Sequence, residues 1–261
     1  MTRERPSNRS ARASATKRRA RPPTSEQRLV VEGHRVVLEA IAAGRALEVF
    51  APRRGESRDV LAAAEAAGVP IRIVDDADRE DVSVRVKLHP ELSERDLSAR
   101  NYREDSIVIV LDGITDPQNL GAAARSAEAA GAELLVTRDR RAAPTSSAAV
   151  RASAGALFHL PLARVANIPR AIARLQEVGF SVIGLEERAE TTIYERPAPE
   201  GRIAIVVGAE DRGLSRLVRE RCDELVALPT RGRVSSLNAS AALSAALFGF
   251  VLPSRSGRSA G

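Results

Sequence analysis

The chain holds one cysteine, Cys222, in 261 residues. An internal disulfide is therefore excluded, a structural zinc site has no cysteine partner, and the residue reads as a packed, inert thiol. No apolar run approaches the roughly 20 residues of a membrane span, and the basic N-terminal stretch lacks the apolar block of a secretory signal. A cytoplasmic protein is the expectation. His34, His89 and His159 are scattered and read as surface or structural residues. No His/Asp/Glu cluster has ligand spacing, so no metal site is expected. Neither the spaced-glycine fingerprint of dinucleotide folds nor a phosphate loop ending in Lys and Ser/Thr is present, which removes the dehydrogenase and nucleotide hydrolase classes. Lysine is nearly missing too, at Lys17 and Lys87 alone among 40 basic residues. A GC-rich coding bias accounts for that ratio but not for where the charge sits.

What is present is a net charge of +6 and a hydrophobic content of 44%. The first predicts a polyanionic partner, RNA or DNA, because neutralising phosphates releases counterions; the second is ample for a buried core. Residues 1–24 carry Arg3, Arg5, Arg9, Arg12, Lys17, Arg18, Arg19 and Arg21 against Glu4 alone. Such a segment cannot repay its ordering entropy by burial. It reads as a disordered basic arm, an RNA tether or a solubilising tail.

Residues 25–97 read as a small α/β unit: helix His34–Ala43, strand Leu47–Ala51, helix Ser57–Ala67 stopped by Gly68, and strand Val69–Val74. No closing strand is evident in Val84–Leu97. The polar stretch SARNYRED, 98–105, reads as a linker. From 106 to 252, strands and helices alternate. Strand Ile107–Leu111 leads to helix Gln118–Ala130, with Asp116 as N-cap and Pro117 at the first helical position. Strand Glu133–Thr137, a short helix Ser147–Ser153, strand Leu157–Pro161, helix Pro169–Val178, strand Phe180–Leu185, strand Ile203–Val207, strand Glu224–Leu228 and helix 237–251 follow. Apolar runs such as IVIVL and IAIVV imply strands buried on both faces, hence an α/β fold with a largely parallel sheet. The tail 253–261 is polar and expected to be disordered.

Open α/β sheets place ligands where strands end and helices begin, and three such junctions carry polar residues. In DPQNLGAAARSAEAAGA, Asn119 and Arg125 are six residues apart, about 120° around an ideal helix, so they converge only if Asn119 lies in the first turn or loop. Either they are ordinary helix residues or they meet one substrate; the small residues Gly121–Ala124 permit a close backbone approach that a plain surface helix would not need. In GAEDRGL, Glu210 follows a strand directly, as a ligand contact or as a charge partner of a helix N-terminus. In LPTRGRVSSLNASAALSAALF, Ser235 or Ser236 is placed to cap a helix whose apolar face is Leu243, Ala246, Leu247 and Phe250.

Together, in this order and spacing over most of residues 106–250, the three motifs resemble the SpoU-type branch of the knotted (SPOUT) RNA methyltransferases. The resemblance implies a trefoil-knotted parallel-sheet domain that moves a methyl group from S-adenosylmethionine to a ribose 2′-hydroxyl of RNA. It implies active-site roles for Asn119, Arg125, Glu210, Ser236 and Asn238, and cofactor contacts from Gly208, Leu228 and Leu237. The phrase VEGHRVVLEAIAAG and the order of elements around it resemble the L30e-like RNA-binding domain that precedes many such enzymes. Phrases such as GALFHLPLARVANIPRAIARLQEVGF are similar to the subgroup that methylates 23S ribosomal RNA, often at a guanosine; a transfer RNA enzyme and a non-catalytic RNA-binding or ribosome-assembly protein are the alternatives. Homodimers packed through the last helix are implied as well. The family gives the motif-one arginine the role of base, but a guanidinium holds its proton near pH 7. Arg125 is therefore expected to stabilise a developing alkoxide or a neighbouring phosphate.

Overall fold

The computed structural model describes residues 28–53, 57–74, 81–195, 197–233 and 237–256. The expected basic arm and residues 257–261, as well as Ser235 and Ser236, lie outside them. The first sheet comprises β1 (Arg28–Glu32), β2 (Ala46–Pro52), β3 (Ile71–Val74) and β4 (Ser83–Lys87), with α1 (His34–Ala42) and α2 (Arg58–Ala66) between them. Its order is β1-β4-β2-β3. β4 is antiparallel to both neighbours, while β2 and β3 are parallel. Two strands thus depart from expectation. β1 adds a strand before α1, and the stretch after Val82 does hold a strand, with Val84 and Val86 buried and Arg85 facing Glu48 at 2.6 Å. A charged residue in a five-residue alternating segment conceals the strand, because its apolar face shows only two positions.

After α3 (Asp96–Ala99), the second sheet is built from β5 (Ile107–Asp112), β6 (Leu134–Arg138), β7 (Leu162–Val165), β8 (Phe180–Leu185), β9 (Arg202–Gly208) and β10 (Glu224–Val226). The order is β10-β8-β9-β5-β6-β7, and every pairing is parallel. Helices α4 (Pro117–Ala129), α5 (Ser147–Ala152), α6 (Ile168–Glu177), α7 (Arg216–Arg219), α8 (Ala239–Ala246) and α9 (Pro253–Ser256) connect the strands or follow them. All six residues of β5 are buried, as both faces of a central parallel strand require. α4 starts as expected: the Asp116 carboxylate accepts the N–H of Gln118, and Pro117 needs no acceptor in the first turn.

The strand expected at Leu157–Pro161 is instead a 3-10 turn, Ala156–Phe158, and the strand begins at Leu162. Ala154 and Gly155 both take left-handed φ, 49° and 93°, which reverses the chain before it can extend. Gly155 is required there, because a Cβ would sit inside 3.0 Å of the Glu39 side chain on α1. Leu157 and Phe158 then drop into one continuous core shared with Val31, Val37 and Val86 of the first sheet. The segment read as a linker is fastened to the second sheet. Tyr102 is buried edge-on to Phe180, with ring centroids 4.8 Å apart, and Arg202 donates to the carbonyls of Tyr102 and Arg103. The tail also starts as structure rather than disorder: Ser254 of α9 donates to the Phe250 carbonyl and accepts from the Ala198 N–H at 3.0 Å.

Candidate active site

β5 and β9 are neighbours, yet the chain runs outward from β5 through β6 to β7 on one side and reaches β9 from β8 on the other. This is the switch point of the sheet, where the loops after adjacent strands part and leave a crevice. The loop after β5 carries Asn119 into the first turns of α4, and the loop after β9 carries Glu210. α8 completes the corner by packing on α4, where the Ser126 and Ser244 hydroxyls meet at 2.6 Å. Asn238, the residue before α8, thereby comes beside Asn119.

The three side chains form one hydrogen-bonded cluster. Asn119 Nδ2 donates to Glu210 Oε1 at 2.7 Å, and Asn238 Nδ2 donates to Asn119 Oδ1 at 2.9 Å and also to Glu210 Oε1. Amide orientation here is dictated by the backbone. Asn238 Oδ1 accepts the N–H groups of Ser240 and Ala241, at 3.0 and 3.3 Å, so its NH2 must face the cluster. Asn238 is thus the N-cap of α8, correcting the expectation that Ser235 or Ser236 caps it. One asparagine serves as cap with its oxygen and as site residue with its nitrogen. Glu210 spends one oxygen on the asparagines; its second has no partner among the described residues and is open to a hydroxyl donor.

Beside Glu210 lies a cleft of about 530 Å³, the size of a small-ligand pocket. Gly208, Leu228 and Leu237 all line it, as do Ala239 and Ala242 of α8. The opposite wall comes from the loop after β8, Glu186 to Ala189, and from Arg219, which pairs with Glu186 at 2.9 Å. That wall was not read from the sequence; the signal available was a polar run, EER, directly after a buried strand. Gly208 is there because the chain folds back on it. A Cβ would lie inside 3.0 Å of the Gly213 carbonyl and the Leu214 nitrogen, while the Gly213 N–H closes the turn on the Ala209 carbonyl at 2.7 Å.

Asp112 also bears on the site, although it belongs to none of the three motifs. Only 3% exposed at the end of β5, it accepts the Ser215 N–H at 2.8 Å and Arg138 Nη2 at 3.0 Å. It thereby clamps the far end of the 209–215 loop to the neighbouring strands. An aspartate closing an otherwise apolar buried strand was the available clue.

Arg125 is not brought to the cluster. It is exposed two turns along α4 and makes no hydrogen bond or ion pair among the described residues. Nor do the small residues of α4 face a ligand at Gly121: a Cβ there would enter the backbone of α5 at Ala149 and Ser153, so that close approach is helix on helix. Ser236 lies outside the described residues. Cys222 is held by burial, with Asp223 and Asp112 adding to it, at a pKa pushed up to about 12, an unreactive thiol. Among the described residues no cluster suits a metal ion, and no helix is long and apolar enough to cross a membrane.

Residues 106–248 match the model of the SpoU rRNA Methylase family. The chain is 38% identical over 214 residues, 77% of its length and 88% of the relative's, to the 23S rRNA (guanosine-2′-O-)-methyltransferase RlmB of Salmonella typhimurium strain LT2. It is 37% identical, with the same coverage, to the enzyme of that name from Escherichia coli K12. Among solved structures it is similar to the SpoU methyltransferase AviRb from Streptomyces viridochromogenes in complex with the cofactor AdoMet, with a TM-score of 0.75 and 27% identity over 88% of this chain and 92% of that one.

Proposed function

The chain belongs to the SpoU rRNA methylase family, and from that membership we propose that it methylates a ribose 2′-hydroxyl of 23S ribosomal RNA, at a guanosine, using S-adenosylmethionine. The observation that carries this reading is the Asn119–Glu210–Asn238 cluster at the rim of a nucleoside-sized cleft. The cleft suits the cofactor chemically. Leu228, Leu237 and Ala242 offer an apolar face for an adenine ring, Gly208 lets the loop fold close, and Glu186, Arg188 and Arg219 supply both charges for a zwitterionic tail. Bound there, S-adenosylmethionine supplies an electrophilic methyl on a sulfonium, open to in-line attack by an oxygen.

The chain's own residues position that oxygen. Glu210 presents its free carboxylate oxygen to the ribose hydroxyl, and Asn119 retains an N–H not used within the cluster. Because both amides are fixed by backbone and carboxylate partners, the donors are set before substrate arrives, which is where preorganised sites gain most. Arg125 contributes positive charge to the developing alkoxide or a neighbouring phosphate from the substrate side. Ser236 orients the ribose, and Asn238 does so through Asn119 and Glu210, to which both its amide hydrogens are donated.

The reading extends to the rest of the chain. Residues 25–97 act as an L30e-like RNA-binding domain, joined through 98–105 to the methyltransferase domain 106–252, with residues 1–24 as a basic RNA tether in a cytoplasmic enzyme. The last helix forms a trefoil knot; in support, α8 leaves the sheet edge after β10 and packs back on α4 and β9. A homodimer forms through the same helix. The face first read as apolar, Leu243, Ala246, Leu247 and Phe250, is buried within the chain, but Ala241, Ala245, Phe248 and Gly249 form a second small and apolar stripe that is exposed. The test is methyl transfer from labelled S-adenosylmethionine to 23S RNA stripped of modification, with transfer RNA alongside. Label in 23S RNA is expected; label confined to transfer RNA, or none with either, refutes the substrate or the activity.

A further inference from the structure

One loop beside the site is built more firmly than a solvated turn needs. Residues 139–146 follow β6 at the carboxyl edge of the sheet, next to the loop that leads to Asn119. Arg164, 11% exposed, holds the loop from beneath. Its Nη2 donates to the Ala143 carbonyl and to Thr145 Oγ1, both at 2.9 Å, its Nη1 donates to the Arg138 carbonyl, and its Nε pairs with Glu91 at 2.7 Å. From the side, the Ala143 N–H donates to the carbonyl of Ile114, two residues before the cap of α4. Within this frame Arg141 is held at φ 55°, one of two non-glycine residues with positive φ among those described. A left-handed L-residue is unfavourable and persists only where its surroundings over-determine it.

The loop displays Arg140 and Arg141, both exposed and both without a hydrogen bond or ion pair among the described residues. Arg138 at its base is aimed by Asp112, the carboxylate that also clamps the loop carrying Glu210. Two unpaired guanidiniums on a rigid frame, coupled to the motif-one loop by a backbone hydrogen bond, match a phosphodiester chain better than a loosely solvated charge pair does. Resting on the reading of the chain as an RNA methyltransferase, we propose that Arg140 and Arg141, backed by Arg138, bind the RNA phosphates flanking the target nucleotide and so set its register over the Asn119–Glu210–Asn238 cluster.

The test is equilibrium binding of a 23S RNA fragment by R140Q/R141Q between about 50 and 200 mM salt. The control is R174Q/R221Q, which removes two charges at the amino edge of the sheet, where Gln176 donates to the Arg221 carbonyl. At 0.7 to 0.9 per phosphate contact, the slope of log K against log salt is expected to fall by about 1.5, with affinity near physiological salt roughly tenfold lower. The control should keep the wild-type slope, and calorimetry should show S-adenosylmethionine binding unchanged in both. An unchanged slope in R140Q/R141Q, or an equal fall in the control, overturns the proposal. If the wild-type chain binds no RNA, the functional reading itself falls, and this proposal with it. Should the double variant misfold, R140Q alone must show about half the change.

Discussion

Replacing Gly208 with alanine probes the joint between fold and cleft. The added Cβ would meet the carbonyl carbon and oxygen of Gly213 and the nitrogen of Leu214, all inside 3.0 Å, where ordinary contact is 3.4–4 Å. These are backbone atoms, so no side chain can swing aside; the turn itself must retreat by about 1 Å or more. Overpacking of this kind costs about 1–3 kcal/mol. Loss of the turn-closing hydrogen bond from Gly213 to Ala209 adds about 1 kcal/mol, giving roughly 2–4 kcal/mol in all. The moved turn carries Glu210 and part of the cleft wall, so S-adenosylmethionine affinity should fall at least about tenfold, a change of 1.4 kcal/mol. Urea unfolding and isothermal titration read the two effects. Gly179→Ala provides the contrast: at φ 86° it strains the backbone and costs stability, but at the amino edge of the sheet it leaves cofactor binding intact. Wild-type stability and affinity in Gly208→Ala would refute the packing argument.

Four further outcomes follow from the same structure. Asn238→Ser keeps a good helix cap but loses the amide donor, so stability should change by less than about 1 kcal/mol while turnover drops steeply; unchanged turnover would reduce Asn238 to a cap. Arg125→Lys should lower turnover more than S-adenosylmethionine affinity, and full turnover would remove Arg125 from the reaction. Burial, with Arg45 second, pushes the His89 pKa below its ordinary 6.5, so its contribution to stability is present above about pH 6.5 and lost as pH falls below that, when the unfolded chain binds the extra proton. The drop in urea midpoint from neutral pH to about pH 5.5 should therefore be shallower in His89→Gln, and an identical drop would contradict the assignment. At pH 8 a thiol with a pKa near 12 is ionised to about one part in 10⁴, so Cys222 should resist iodoacetamide in the folded protein and react within minutes in urea, by mass spectrometry; rapid labelling of the folded chain would contradict its burial.

The parts legible in the sequence share a local cause. Runs such as IVIVL reveal parallel strands because burial on both faces leaves no polar position, and Asp116–Pro117 reveals a helix start because capping involves neighbours only. What stayed hidden depends on contacts far apart in the chain. The strand Ser83–Lys87 is stabilised by partners about 33 to 59 residues earlier, from Phe50 opposite Ser83 to Arg28 opposite Lys87, and LFHLP turns instead of extending because Glu39 of α1 packs on Gly155. The same holds in the site. The resemblance to the family points to Glu210, Gly208, Leu228 and Leu237, which the structure gathers at one cleft, and to Asn119 with Asn238 at its rim. It does not mark Asp112 or the Glu186–Ala189 wall, whose importance appears only when residues far apart in the chain meet: Asp112 with Ser215, and the loop after β8 with the loop after β9 around one cleft. Arg125, prominent in the motif, meets none of these groups within the chain.

The position of the transferred methyl tests the central claim most directly. RNA labelled by the enzyme from S-adenosylmethionine is digested with alkali, which needs a free 2′-hydroxyl to cleave the adjoining phosphodiester. The proposed presentation of a ribose hydroxyl by the cluster predicts that all label stays in an alkali-resistant dinucleotide, and the proposed guanosine target that its 5′ nucleoside is 2′-O-methylguanosine. Label recovered in mononucleotides methylated on the base would contradict the account.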